Sequence, residues 1–393
     1  MALISTLCVL ASIAPVQSEG FDVPFHTTDH AIVVDATVNN ANVSLVFDTG
    51  FGGAVVLNDS IDIGKPDGAM TLRDFVGQFE AKTTKIKSLK LGSKPVVCTD
   101  MMAVQQPLGR MSFGYNAHTD GIMGLEVIQK NITQINFEHS KFVFLPKTYD
   151  INKLVPDNKK SFMLKMLPIG QNSIELEVRT KSGGVMTLAL DTGNSFYATT
   201  HKDVLERLGM WKVDQKPKFM HQSGVASGAV DSWSARFKDL TIFGAPVADS
   251  VWDIIDAPSS SAEGDGTVGF GFLKNFNITI DYDKRRVFLE NWTGKVTDEF
   301  LGTVGLVGTY VKQRQGVMIV DVSPESPADK AGIKEGDMLL SIDGQDLDKE
   351  DFRKVDSMLE GKVGTKAKIV ISQKGGAVKR LELERLLLVN EIP

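Results

Sequence analysis

Two short segments of the chain carry a carboxylate in the same setting. Leu45-Val46-Phe47-Asp48-Thr49-Gly50 and Leu188-Ala189-Leu190-Asp191-Thr192-Gly193 each run an apolar stretch into Asp-Thr-Gly, 143 positions apart. That spacing is about one small domain. Two carboxylates delivered by two similar units can share one proton, because like charges about 3 Å apart cannot both ionise. The ionised partner takes a proton from water and the protonated one polarises a carbonyl, which suffices to hydrolyse a peptide bond without a metal or a covalent intermediate. Such a dyad titrates as a unit. Gly50 and Gly193 let the backbone turn tightly and approach the carboxylates. Thr49 and Thr192 carry hydroxyls for hydrogen bonds across a pseudo-two-fold axis.

The elements that must position these residues repeat as well. Residues 31–38 and 43–47 read as strands joined by an Asn39-Asn40 turn before Asp48. Residues 174–178 and 185–190, joined by Ser182-Gly183-Gly184, do the same before Asp191. Downstream, Asp120-Gly121-Ile122-Met123-Gly124-Leu125 matches Asp265-Gly266-Thr267-Val268-Gly269-Phe270 at an offset of 145 (265 − 120). Strand-like segments follow at 131–137 and 277–282, then at 141–145 and 286–289. A repeat at both ends of each unit argues for duplication. A helix is expected over 201–210 and a polar connection over 153–160.

The 393 residues allow two or three domains, with 42% hydrophobic and 23% charged residues, ordinary for a globular protein. A net charge of −6 is too mild to suggest a nucleic-acid partner, and no basic cluster with interleaved aromatics occurs. Met1 to Ser18 read as a signal peptide, although no Lys or Arg stands near the start, so an exported protein, periplasmic or secreted, is the expectation. Cleavage there would remove Cys8 and leave Cys98 without a disulfide partner. The six histidines form no His-Glu-x-x-His pattern, no Gly-x-Ser-x-Gly or phosphate loop occurs, and His26 and His30 read as a polar turn. Asn42, Asn58, Asn131, Asn277 and Asn291 head Asn-x-Ser/Thr sequons, which matter only in a eukaryotic secretory route.

These residues resemble the pepsin and retropepsin families of aspartic proteases, over both units. The resemblance implies a mostly β, bilobal fold, a cleft between the lobes and an extended polypeptide substrate within it. It makes Asp48 and Asp191 the catalytic pair, with Thr49, Gly50, Thr192 and Gly193 in support. Ile122-Met123-Gly124 matches the family segment that packs under the catalytic loop, and Thr267-Val268-Gly269 is its weaker copy. Phe75-Val76-Gly77-Gln78-Phe79 and Ser223-Gly224-Val225-Ala226-Ser227-Gly228 are flap candidates, each with an ordinary hairpin turn as its alternative. The family follows Asp-Thr-Gly with Ser, Thr or Ala; this chain has Phe51 and Asn194. The Phe51 side chain has no hydrogen bond to offer a carboxylate, which keeps open a second reading, a peptide-binding adaptor without turnover.

From Thr303 onward the chain changes character. A strand over 316–322 leads into Ser323-Pro324-Glu325-Ser326-Pro327-Ala328, then Ala331-Gly332, Gly336-Asp337 and Asp343-Gly344. This pattern closely resembles a PDZ domain of the kind attached to bacterial exported proteases. The resemblance implies a small α+β domain that binds C-terminal tails by strand addition. Gly305-Leu306-Val307-Gly308 is the match to its carboxylate-binding loop and residues 349–359 to its groove helix; a packing module with a blocked groove is the alternative. The expected layout is a signal peptide (1–18), two protease lobes (19–150 and 151–292), a linker (293–302) and the PDZ unit (303–393). The expected partners are an extended polypeptide and C-terminal tails, with no cofactor, no metal, no nucleic acid, and a monomer as the working form.

Overall fold

The computed structural model describes residues 20–73, 78–107, 115, 118–169, 173–225, 228–259, 264–296, 300–311, 314–347 and 355–392. The signal segment, Phe75, Val76 and Gly77 of the first flap candidate, Ala226 and Ser227 of the second, and 349–354 of the groove helix lie outside them.

Ile32–Val38 turns at Asn39 and Asn40, whose φ angles are 47° and 80°. Two successive left-handed residues are what a two-residue hairpin matched to strand twist requires, and Asn tolerates them. The chain returns as Ala41–Phe47, with Val33 opposite Val46. That strand pairs in parallel with Gly121–Met123, which pairs antiparallel with Val55–Asn58. Met102–Gln106, Gln78–Lys85 and Gly68–Arg73 then follow outward.

The second unit repeats this order strand for strand. Val185–Leu190 pairs in parallel with Gly266–Val268, which pairs antiparallel with Ala198–His201. Ala245–Ile255, Gly228–Ile242 and His221–Val225 follow outward. The duplication read from the sequence is therefore a duplication of topology. The helix expected over 201–210 forms as Lys202–Arg207. Each Asp-Gly-x-x-Gly segment also runs into a one-turn helix, Leu125–Ile128 and Phe270–Leu273, which its spacing did not announce.

A six-stranded sheet joins the lobes. At its centre Ile132–Asn136 of one unit pairs antiparallel with Phe276–Asp281 of the other, Ile135 opposite Ile278. Phe47, one residue before Asp48, packs edge-on against Phe142 of this sheet at 4.9 Å between ring centres. Phe137 meets Phe270 across the units at 5.9 Å. Each fully buried Phe of this kind contributes about 1.5–3 kcal/mol, so the strand ends that carry the aspartates stand on a rigid base.

Residues after Gly302 form a separate sheet ordered Leu306–Val311, Gly316–Val322, Met338–Ile342, Lys366–Ser372, Val378–Glu384. It closes on its own core of Val304, Val317, Ile319, Leu339, Val355, Leu359 and Ile369, with helices Pro327–Lys330 and Val355–Leu359. Ser326 caps the first helix through the Asp329 amide, with Pro327 at the first helical position. One expectation needs correction. Leu306, Val307 and Gly308, read as loop, begin the edge strand; only Gly305, at φ 81°, belongs to the turn. The last residues, expected within the PDZ unit, leave it: Asn390–Glu391 pairs in parallel with Ala235–Arg236 of the second lobe. Among the described residues no helix is long and apolar enough to cross a membrane.

Candidate active site

Asp48 and Asp191 follow directly on the two equivalent strands, and the carboxyl of each lies against the other loop's glycine. Each loop bends back so that its own backbone holds its carboxylate. Asp48 Oδ1 accepts the N–H groups of Gly50 (2.8 Å) and Phe51 (3.1 Å). Asp191 Oδ1 accepts those of Gly193 (2.9 Å) and Asn194 (3.2 Å).

The threonines cross the pseudo-two-fold axis as expected. The Thr49 hydroxyl accepts from the Thr192 amide (2.9 Å) and donates to the Leu190 carbonyl (2.6 Å). The Thr192 hydroxyl accepts from the Thr49 amide (3.1 Å) and donates to the Phe47 carbonyl (2.8 Å). Both threonines are fully buried. Buried backbone groups left without partners cost about 1–3 kcal/mol each, so this four-bond lattice fixes the separation of the loops.

Gly50 and Gly193 face the opposite aspartate. A Cβ on Gly50 would lie 2.6 Å from the Asp191 carboxyl carbon, and one on Gly193 2.2 Å from that of Asp48. Gly124 and Gly269 lie under the loops: a Cβ there would meet the Phe51 and Gly53 carbonyls, or those of Phe196 and Asn194, at 2.3–2.6 Å. Ile122-Met123-Gly124 and its copy thus pack where the resemblance put them.

Burial, then the charge of Asp191, holds the Asp48 carboxyl well above the usual carboxylate range. Burial raises Asp191 too, against the hydrogen bonds from Asp48, Gly193 and Asn194. The pair therefore keeps one proton at pH values where a lone surface carboxylate has lost it.

The two departures behave differently. The Phe51 ring fills a slot left by Gly53 and Gly124, over Val56, Val104 and Ile122 and beside Leu72 and Phe79 of the Gly68–Arg73/Gln78–Lys85 hairpin. It gives Asp48 only its backbone N–H. The Asn194 carboxamide turns away from Asp191, donating to the hydroxyls of Thr199 (3.0 Å) and Thr267 (2.7 Å) and accepting from the Phe196 amide. Neither aspartate has a side-chain donor from the residue after its Asp-Thr-Gly.

Three residues went unrecognised in the sequence as contributors. Tyr115 is buried on Ala31, Val33 and Val46. Burial and the charges of Asp48 and Asp191 push its phenol well up, so it remains an O–H donor. Asp120 and Asp265 tie the incoming strands: their carboxylates accept the Ser44 (2.9 Å) and Thr187 (3.0 Å) amides. The repeated Asp-Gly was the signal for that pair; nothing in the sequence marked Tyr115. The flap candidates occupy equivalent hairpins, Gln78 and Phe79 opening one second strand and Ser223 to Val225 closing the other's first. No group of three or more His, Cys, Asp or Glu side chains converges as a metal site among the described residues.

Known proteins match the chain in parts. The chain is 26% identical over 117 residues to the carboxy-terminal processing protease CtpA of Bacillus subtilis (strain 168), which covers 29% of this chain and 25% of that protein. It is 30% identical over 82 residues to a probable CtpA-like serine protease of Staphylococcus haemolyticus (strain JCSC1435), covering 21% of this chain and 16% of that protein. The chain spans a quarter or less of the length of these curated relatives. Of solved structures, a photosystem II D1 C-terminal processing protease aligns at 26% identity and TM-score 0.22, covering 23% of this chain and 25% of that one. An aspartic proteinase from Irpex lacteus aligns at 13% identity and TM-score 0.42, covering 70% of this chain and 98% of that one. The family model described as PDZ domain matches residues 318–385, and that part of the chain, built as a separate sheet with its own core, is a PDZ domain.

Proposed function

We propose that the chain is an aspartic endopeptidase whose PDZ domain binds polypeptide tails. The carrying observation is the pairing of Asp48 and Asp191 through matched loops, each carboxylate held by two backbone N–H groups and the pair pushed to retain one proton. In this reading a water lies between the two carboxylates. The ionised one removes its proton as the oxygen attacks the scissile carbonyl, and the protonated one stabilises the developing oxyanion. The proton taken from water then passes to the leaving amine, and the dyad returns to its singly protonated state. An extended polypeptide fits this chemistry because its carbonyls stay free to be presented one at a time.

The similarity to the processing proteases lies over the PDZ region. It supports tail binding beside the edge strand Leu306–Val311 and brings no nucleophile to the lobes. Export to a periplasmic or extracellular space is part of the proposal and rests on Met1 to Ser18.

Cleavage of casein from acid to neutral pH, by the wild type and Asp191→Asn, tests the reading. Activity present in the wild type and lost in the variant is the expected result. Binding of peptides without cleavage at any pH would favour the adaptor, for which Phe51 is the supporting observation.

A further inference from the structure

A path of neighbouring residues leads from the Asp191 loop to the PDZ domain. Asn194, whose N–H bonds Asp191, donates its carboxamide to the Thr199 hydroxyl. Thr199 stands opposite Asp253 in the neighbouring strand. Asp253 is 2% exposed, and both its oxygens are engaged: His221 Nε2 at 3.0 Å on one, the Ser223 hydroxyl at 3.0 Å on the other. His221 and Ser223 belong to His221–Val225, the edge strand of the second lobe's sheet. Between them stands Gln222, and here the strand His221–Val225 meets the PDZ strand Gly316–Val322; burial raises the Asp321 carboxyl of that strand, and the His221 charge and the Gln222 backbone oppose the rise. Asp321 is the register partner of Val307 on the PDZ edge strand.

A second contact holds the same unit. The Asn390 carboxamide accepts from the Lys218 amide (2.8 Å) and donates to the carbonyls of Lys218 (2.9 Å) and Ser234 (3.1 Å). Ile392 is 7% exposed in the lobe's core, and Glu391 lies 3.6 Å from Arg236 and 3.9 Å from Lys238. The PDZ sheet ends at Glu384, so only a few residues separate it from this strap.

An edge strand with open N–H groups is ordinarily covered or blunted; here the PDZ strand Gly316–Val322 lies against it. We propose that the PDZ domain is a coupled partner of the second lobe, with His221–Val225 as the shared element whose grip on the Asp191 loop is set by Asp321 and the C-terminal strap. Coupling of this kind is reciprocal, so a tail bound beside Val307 and an occupant of the Asp48–Asp191 site act on each other through that strand. The effect on turnover rests on the peptidase reading; the joint does not.

Hydrogen exchange of the full chain tests it, comparing the wild type with Asp321→Asn and Asn390→Ala. Asp321→Asn keeps the shape and removes the charge that faces His221 and the Gln222 backbone. Losing that charge beside an edge strand is expected to speed exchange about tenfold in His221–Val225. A smaller acceleration is expected in residues 194–201, with Ala41–Phe47 and Lys366–Ser372 unchanged. Unchanged exchange in His221–Val225 in both variants would overturn the proposal, and so would equal acceleration of all four segments. Exchange is read without substrate, so failure of the joint and failure of the peptidase reading are separate results.

Discussion

Gly193 lies so close to Asp48 that a Cβ on it would stand 2.2 Å from the carboxyl carbon, and Gly50 stands in the same relation to Asp191 at 2.6 Å. Each aspartate is packed against the other loop's glycine, so the two loops form one object. Gly193→Ala and Gly50→Ala are expected to push the carboxylates apart. A displacement of about 1 Å at reacting groups costs about 100-fold in rate. Steady-state cleavage by the two variants, beside their thermal midpoints, checks this; full activity in either would refute the packing argument.

The crossed hydroxyls make a separate prediction. Thr49→Val and Thr192→Val keep the side-chain shape and remove two hydrogen bonds each, leaving a buried amide and a buried carbonyl without partners. Each is expected to cost about 1–3 kcal/mol per orphaned group. The double variant is expected to be non-additive, because the two residues share one lattice. Urea unfolding of the singles and the double measures both quantities.

The dyad also predicts how stability moves with pH. Asp48 and Asp191 are both raised in the folded state, chiefly by burial, whereas in the unfolded chain they titrate near about pH 4. Between those values the folded protein binds more protons than the unfolded chain. The stabilisation from holding the proton is complete below the unfolded value and is lost as pH rises through the folded one. The wild type is therefore expected to lose stability relative to Asp48→Asn as pH rises from about 4 toward neutral. Parallel curves for the two proteins in a denaturant series across pH would count against a buried shared proton. Cleavage is expected to fall over the same rising limb, as the proton leaves the pair.

Phe51→Ser exchanges packing for a hydroxyl beside Asp48. The emptied slot between Gly53 and Gly124 is expected to cost about 3–5 kcal/mol, as for other large-to-small aromatic changes. A hydroxyl donating to the carboxylate would favour its charged form and lower the dyad's apparent pKa values. The alkaline limb of the cleavage profile should then move toward acid, while Phe51→Ala lowers stability without moving the limb. An unmoved limb in Phe51→Ser would show that the new hydroxyl does not reach Asp48.

The chain's own residues announced the duplication and the strands that lead into each Asp-Thr-Gly, because these rest on short-range patterns, whereas the PDZ domain follows from the resemblance of its motif spacing to that family. Alternation fixes which side of a strand is buried, Asn39-Asn40 specifies its turn, and Ser326-Pro327 starts its helix. The roles foreseen for Thr49, Thr192, Gly50 and Gly193 followed from the same local logic applied twice. Other features depend on residues far apart in the chain meeting in space. Tyr115 reaches Val46, the Asn194 carboxamide chooses Thr199 and Thr267 over Asp191, and Phe51 finds its slot between two glycines. Asn390 inserts into the second lobe 172 positions from Lys218, and Asp321 meets Gln222. No periodicity encodes such contacts. They arise only when two lobes and a third domain close on one another, and a buried polar group takes whichever partner that closure leaves within reach.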